Sequence, residues 1–214
     1  MDIYRVTSHL MGVGRSGETE LRDNLMANET FYHLFDTGLG PIGIAWADSG
    51  LMRLQLPEVD RARTLRRLKA RRSTTWVEAN PTAMVRHAIL EIERHVAGRK
   101  SDYSRISLDL TGVSSFDREI YEAARSIPWG RTTSYGELAA LAGYAGEARE
   151  TGQALGRNPI PIIIPCHRIL AKGNRIGGFS AHGGKLTKER LLAIEGVDLE
   201  GDSPLLPGLF PRVW

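Results

Sequence analysis

Apolar and polar positions alternate in the first half of the chain and recur at helical spacing in much of the second. Residues 31–35 form an aromatic-rich run and residues 42–47 a second apolar run; in residues 51–56, Leu54 and Leu56 alternate with Arg53 and Gln55. Turn signals at Gly38-Leu39-Gly40-Pro41 and Asp48-Ser49-Gly50 separate these runs, so the pattern predicts a short antiparallel meander. Residues 58–72 read as a helix with Ala62, Leu65 and Leu68 on one stripe. Residues 81–97 read as another, with Val85, Ala88, Ile89, Ile92 and Val96 at i, i+3, i+4, i+7 spacing. His87 and His95 lie off that stripe and are expected at the surface. Ile106, Leu108 and Leu110 alternate with Ser107 and Asp109, which predicts one more strand.

Helices dominate after Gly112, which places a domain boundary near residues 111–113. Ser114 and Ser115 can cap a helix running to Ser126, with Phe116, Ile120 and Ala124 inward. Ser134-Tyr135-Gly136-Glu137 has the S-x-x-E pattern of a capping box, opening a helix to Ala142. A Gly-bearing turn at residues 143–146 and a helix over residues 147–156 follow. This pair suggests a helix-turn-helix, a pattern that many proteins without a nucleic-acid partner share. A last helix spans residues 187–195, capped by Gly196. The resulting division is a mobile leader over residues 1–28, an N-terminal α/β domain over 29–112, a C-terminal domain over 113–200 and a tail over 201–214.

Charge adds little to this picture. The 214 residues carry a net charge of +3, which permits a nucleic-acid partner without requiring one. Residues 58–72 concentrate Arg61, Arg63, Arg66, Arg67, Lys69, Arg71 and Arg72; such a run is a solvated helix face or a phosphate-binding patch. No apolar run reaches the length of a membrane span, and the first residues lack the apolar core of a secretory signal. A single cysteine excludes an internal disulfide and a zinc site built on several thiolates, and fits a reducing, cytoplasmic setting.

That cysteine, Cys166, ends the run Asn158-Pro159-Ile160-Pro161-Ile162-Ile163-Ile164-Pro165, with His167 beside it. The prolines fix φ and withhold amide donors, so the run is neither a helix nor an ordinary central strand. It is expected to be a stiff segment presenting Cys166 at the edge of a core. A lone cysteine is commonly a small buried hydrophobe; with a base in reach it becomes a nucleophile. The glycine-rich stretch Ile176-Gly177-Gly178-Phe179-Ser180 with Gly183-Gly184 lacks the spacing of a nucleotide P-loop and reads as a loop allowing close approach to a ligand.

Taken in order, these residues resemble the O6-alkylguanine-DNA alkyltransferase family. The match runs through Gly130-Arg131, Ser134-Tyr135-Gly136-Glu137-Leu138-Ala139, Ala148-Arg149, Gly152 and Asn158-Pro159. It continues through Pro165-Cys166-His167-Arg168-Ile169, Gly177-Gly178-Phe179-Ser180, Lys188, Leu191-Leu192 and Glu195-Gly196, with a looser echo in the meander. The resemblance implies an α/β fold: a small N-terminal antiparallel sheet with helices, ribonuclease H-like, then a mainly helical domain with a helix-turn-helix. It implies stoichiometric, irreversible transfer of an alkyl group from guanine O6 in double-stranded DNA to Cys166, by a monomer without a cofactor.

The resemblance also implies roles. His167 acts on Cys166 through a water and Glu195 orients His167; Asn158 braces the segment. Tyr135 meets the phosphate of the target nucleotide, Arg149 fills the gap left by the flipped base, and Ser180 lines the guanine pocket with the backbone at Cys166 and Ile169. Leu155 supplies an apolar wall, and Lys188 sits near Tyr135. Without the family register, Glu195 reads as a helix-end acid, Tyr135 as a packing aromatic, Asn158 as a turn initiator and Arg149 as a solvated side chain. Three departures stand out: Phe179 occupies the place of a tyrosine that donates to the leaving guanine oxygen, Glu150 replaces a small apolar residue, and no N-terminal cysteine cluster offers the zinc site of some relatives. Two alternatives follow, a non-catalytic or weakly active alkylguanine-binding damage sensor and a Cys-His-Glu hydrolase or transferase acting on a small molecule.

Overall fold

The computed structural model describes residues 29–70, 75–173 and 175–197. The expected leader over residues 1–28 and tail over residues 201–214 lie outside them.

The meander forms as the alternation predicts. Strands β1 (Glu29–Thr37) and β2 (Gly40–Ala47) pair antiparallel with Phe31 opposite Trp46, and β3 (Gly50–Gln55) pairs with β2. A register shift at Ala45/Trp46 marks a bulge. The sheet is mixed rather than purely antiparallel, because β4 (Thr75–Glu78), absent from the sequence reading, pairs parallel with β1 and gives the order β3-β2-β1-β4. Its four residues are too short for periodicity to register.

Each face of the sheet buries a different set. Tyr32, Leu34 and Ala45 pack against Leu68 of helix α1 (Arg61–Lys69). Gly43 leaves room for this packing, since a Cβ would lie 3.0 Å from a Leu68 methyl. The inward positions of α1 are Thr64 and Leu68 with Leu65 half-buried, whereas Ala62 is exposed, contrary to the expected stripe. Thr64 is accommodated because its hydroxyl both donates to the Asp60 carbonyl and accepts from the Glu58 amide. On the other face Ile42, Ile44 and Trp46 join a core that continues through helix α2 (Ala83–Val96) and helix α3 (Ser115–Arg125) to Ile160, Ile164 and Leu191.

Two further expectations are corrected. Residues 106–110 contribute an isolated parallel bridge, Leu51 to Leu108, in place of a strand. The bridge bonds run from the Leu51 amide to the Ser107 carbonyl and from the Asp109 amide to the Leu51 carbonyl, both at 2.9 Å. Gly50, at φ +137°, lets this segment approach, since a Cβ there would lie 2.7 Å from the Ser107 carbonyl oxygen. His95 is fully buried, not at the surface. The sheet covers one side of α2 and the C-terminal elements cover another, so a single apolar stripe undercounts the inward positions. His87 is half-buried.

The C-terminal elements follow the capping signals. Ser114 caps α3 through the Asp117 amide. Ser134 and Glu137 form the expected capping box of helix α4 (Tyr135–Leu141). Helix α5 (Ala148–Gly156) follows, and short strands β5 (Thr133–Ser134) and β6 (Ile169–Leu170) pair in parallel. Helix α6 (Lys185–Ile194) starts two residues before the expected position and is capped by Glu195, with Gly196 at φ +75°.

Candidate active site

Residues 158–165 are irregular and held from three sides. Asn158 donates to the Ile164 carbonyl at 2.8 Å and accepts from the Ile160 amide at 2.9 Å. The Leu54 amide of β3 donates to the Pro159 carbonyl at 2.9 Å, hanging the segment on the sheet edge. Ile160, Ile162, Ile163 and Ile164 are buried, and Ile162 takes φ +73°, a left-handed conformation costly for a β-branched residue. Packing on every isoleucine is what holds that conformation. The segment delivers Cys166 to the first position of a 3₁₀ turn, Cys166–Arg168.

Behind Cys166 lies a sealed polar cluster. His167 is fully buried and its Nε2 lies 2.8 Å from Glu195 Oε1. Arg168 donates to both Glu195 oxygens, at 2.9–3.1 Å, and to the Ile127 carbonyl at 2.6 Å. The Gly130 amide adds a bond to Glu195 Oε2 at 3.1 Å. Burial alone would raise the Glu195 carboxyl, but the His167 and Arg168 interactions outweigh it and hold the group at about 2. Burial pushes His167 down against the pull of Glu195. Both imidazole states then follow from geometry: Nε2–H donates to the carboxylate, leaving Nδ1 as the basic nitrogen, and no described residue bonds to Nδ1.

In front of Cys166 the site is open. A cleft of about 480 Å³ is lined by Tyr135, Arg149, Leu155, Cys166, Phe179 and Ser180 among others. A second hollow, bordered by Arg53, Arg67, Asn158, Cys166, Phe179 and Ser180, adjoins it. Arg149 and Ser180 are exposed, Tyr135 and Phe179 half-buried, and Leu155 buried. Gly177 makes room for Tyr135, since a Cβ would come 2.9 Å from the phenol oxygen. Burial pushes the Cys166 thiol up, opposed by the Asn158 hydrogen bond and the charge of Lys188. Lys188 is itself fully buried, which lowers it to about 8; its Nζ donates to the Ile169 carbonyl and lies 5.6 Å from the Tyr135 ring. The Ile169 side chain is buried, so its carbonyl is what it offers to this network.

The structure thus gathers Cys166, His167, Asn158 and Glu195 on one side, and Tyr135, Arg149, Leu155, Phe179 and Ser180 around one cleft, with Lys188 and Ile169 between. Sequence reasoning gave no role to Arg168, although its burial beside Glu195 makes it the main counter-charge of the cluster. It gave no role to Arg53, and it placed Arg67 only in a basic helix face or phosphate-binding patch; both are brought to the Cys166 hollow, from β3 and α1. Their positions depend on long-range packing, which local patterns do not carry.

Residues 115–197 match the family described as 6-O-methylguanine DNA methyltransferase, DNA binding domain. A methylated-DNA--protein-cysteine methyltransferase of Mycolicibacterium paratuberculosis is 37% identical over 164 residues, covering 77% of this chain and 91% of that protein. The same-named protein of Methanothermobacter thermautotrophicus is 33% identical over 160 residues, 75% of this chain and 82% of its own length. The crystal structure of Mycobacterium tuberculosis OGT in complex with DNA superposes with a TM-score of 0.63 at 31% identity, covering 77% of this chain and 92% of that one. With a buried Cys-His-Glu constellation facing an open cleft and this degree of likeness over most of its length, the chain belongs to the methylated-DNA--protein-cysteine methyltransferase family.

Proposed function

We propose that this chain repairs DNA by direct reversal, moving an alkyl group, methyl in the simplest case, from guanine O6 to Cys166 once per molecule. The observation that carries the reading is the placement of Cys166 at the floor of an open cleft, with His167 behind it locked to Glu195 at 2.8 Å. His167 Nδ1 takes the thiol proton through a water, and Glu195 stabilises the imidazolium that results. The thiolate sulfur attacks the alkyl carbon, the carbon–O6 bond breaks, and its electron pair leaves with guanine, which is then protonated. The product is a thioether with no good leaving group, so the protein is consumed. No step calls on a cofactor or metal.

O6 inside a base stack is out of reach of a buried thiol, so the target guanine must flip out of the duplex. The 480 Å³ cleft is the receiving pocket: Leu155 walls it, Phe179 and Ser180 cover it, Tyr135 meets the flanking phosphate and Arg149 fills the vacated stack. Helices α4 and α5 act as the helix-turn-helix on double-stranded DNA, within a catalytic unit over residues 113–200. Residues 29–112 form a ribonuclease H-like unit that buttresses it. On this reading the protein acts as a monomer in the cytoplasm. Among the described residues no helix is long and apolar enough to cross a membrane.

Intact-mass spectrometry after incubation with duplex DNA carrying one O6-methylguanine tests this reading. One added methyl mapped to Cys166, stopping at one per chain and absent in Cys166→Ala, is expected. Lesion-selective binding with no mass gain would replace it with the damage-sensor reading, which Phe179 and Glu150 favour. Many products per chain from a small molecule would replace it with a hydrolase.

A further inference from the structure

The transfer reaction as derived uses Cys166, His167 and Glu195, and leaves a second buried imidazole in the same cluster without a task. His95 stands in the last turn of α2, fully buried, with its Nε2 3.4 Å from Glu195 Oε1. Among the described residues neither ring nitrogen has a hydrogen-bond partner. Buried polar groups are rarely left so, because each has given up its bonds to water. Trp129 closes over the ring edge-on at 4.7 Å, and the His167 ring stands edge-on at 5.7 Å. The acceptor facing His95 Nε2 is therefore the carboxylate oxygen that also holds His167.

We infer that His95 is a positioning residue of the transfer reaction: its Nε2–H faces Glu195 Oε1 and fixes the carboxylate against His167. The inference rests on the function proposed above. At 3.4 Å the two atoms are close but form no aligned N–H···O bond, in the manner of apo-state catalytic contacts, which are commonly long or poorly aligned before they tighten on the reacting complex. A neutral imidazole suits the place. It can donate to the carboxylate without adding a cation beside His167, which must itself become one. Burial and the neighbouring His167 keep His95 neutral, lowering it to about 3. The titratable and charged groups facing it are His167 and Arg168 from the 3₁₀ turn, Glu195 from the end of α6, and Tyr103 from the segment after α2. His95, His167 and Glu195 are also a possible metal-donor set, with their ligand atoms within 4.8 Å of one another. Arg168 argues against a cation there: its guanidinium already occupies both Glu195 oxygens, and a divalent ion would have to displace it or lie against it. Because His95 comes from the N-terminal half, it ties the sheet-bearing half of the molecule to the relay.

Single-turnover methyl transfer to His95→Phe and His95→Gln, over pH and DNA concentration, tests the assignment. His95→Phe is expected to lower the saturating rate about tenfold, by analogy with the low end of the loss when an outer-shell hydrogen-bond partner is removed from a metal site. It should also shift the acid limb of the pH–rate profile and leave the half-saturating DNA concentration unchanged. His95→Gln, which keeps an N–H donor, should recover most of the rate. A wild-type rate and profile in His95→Phe would overturn the inference while leaving the proposed function intact. Should His95→Phe fail to fold, imidazole ¹⁵N spectra of the unaltered protein decide. A bare Nδ1 with a protonated Nε2 from pH 5 to 8 is expected, and the opposite tautomer or a charged ring overturns the inference. If the wild-type protein accepts no methyl, the proposed function falls, and these spectra still decide the geometry.

Discussion

The two sides of Cys166 obey different rules. Behind it, every charge has a partner: Glu195 is contacted by the buried side chains of His167, Arg168 and His95 and by the amide of half-buried Gly130. In front of it, Arg149 and Ser180 are exposed, Tyr135 and Phe179 half-buried, and the cleft is shaped by glycines. The rear cluster is part of the core, so its chemistry and its stability cannot be separated. The front is surface, so it can change in affinity or rate without cost to the fold. This division says where variation among relatives can accumulate, and each substitution below either breaks it or sharpens it.

The largest effect belongs to the rear. Glu195→Ala should lower unfolding stability by about 3–5 kcal/mol, because it strands the Arg168 charge in a buried site, and should also abolish rapid transfer. Denaturant unfolding and single-turnover rates measure the two together; a stable but inactive Glu195→Ala protein would break the comparison. The same cluster sets the acid response. Buried His95 and His167 are depressed, so the unfolded chain binds their protons first, and stability falls as pH drops below about 6.5, continuing towards about 3 for His95. Glu195 adds a second loss as pH falls from about 4.5 towards about 2, through its own depressed value. Replacing His95 by Gln should remove its share, a slope of about 1.4 kcal/mol per pH unit between pH 6 and 4. An unchanged slope would show that His95 is charged or exposed.

Gly177→Ala comes next and sits at the seam between the two sides. Its Cβ would press on the Tyr135 oxygen at 2.9 Å, so Tyr135 must move out of the cleft wall. The expected outcome is weaker DNA binding and slower transfer with unfolding stability changed by roughly 1 kcal/mol or less, since overpacking here can be relieved towards solvent. Wild-type affinity in this variant would remove Tyr135 from the DNA interface.

Much of this organisation is legible in the residues themselves, and the limits have physical causes. The meander, the caps at Ser114 and Ser134, and the proline-braced run ending at Cys166 are local, and local chemistry writes them into adjacent residues. The relay in register, Cys166 to His167 to Glu195, came from family resemblance and not from spacing. Its third member is 28 residues along the chain from its partner and reads alone as a helix-end acid. His95 was misread because helical periodicity assumes one buried face, whereas α2 is covered by the sheet and by the C-terminal elements together. Strand β4 and the 106–110 bridge went astray for the opposite reason: in short segments pairing is decided by the neighbouring strand, not by alternation.

Phe179→Tyr is a front-side change with a moderate effect. Phe179 covers the cleft that holds Cys166 and has no hydroxyl to donate to the departing guanine oxygen. Supplying one should speed single-turnover transfer by on the order of tenfold, the low end of what a well-placed donor contributes in a transition state. Stability should not change. No rate gain would mean that another group already serves the leaving oxygen, and Ser180 would be the first to examine.

The smallest effect is expected at Glu150, where local structure and the proposed function pull in opposite directions. Glu150 is exposed in the first turn of α5, and Glu147 at the cap makes no side-chain hydrogen bond to the helix. An acidic group there is favoured by the helix dipole. Beside DNA phosphates the same charge repels, one residue from Arg149 at the cleft edge. Glu150→Ala should therefore lower helix stability slightly and tighten duplex binding severalfold at low ionic strength, the gain shrinking as salt screens it. Titrations of a fluorescent duplex at two salt concentrations, alongside thermal unfolding, separate the two terms. Equal affinity at both would mean that the Glu150 carboxylate faces away from the backbone, leaving the dipole as the whole reason for an acid at this position.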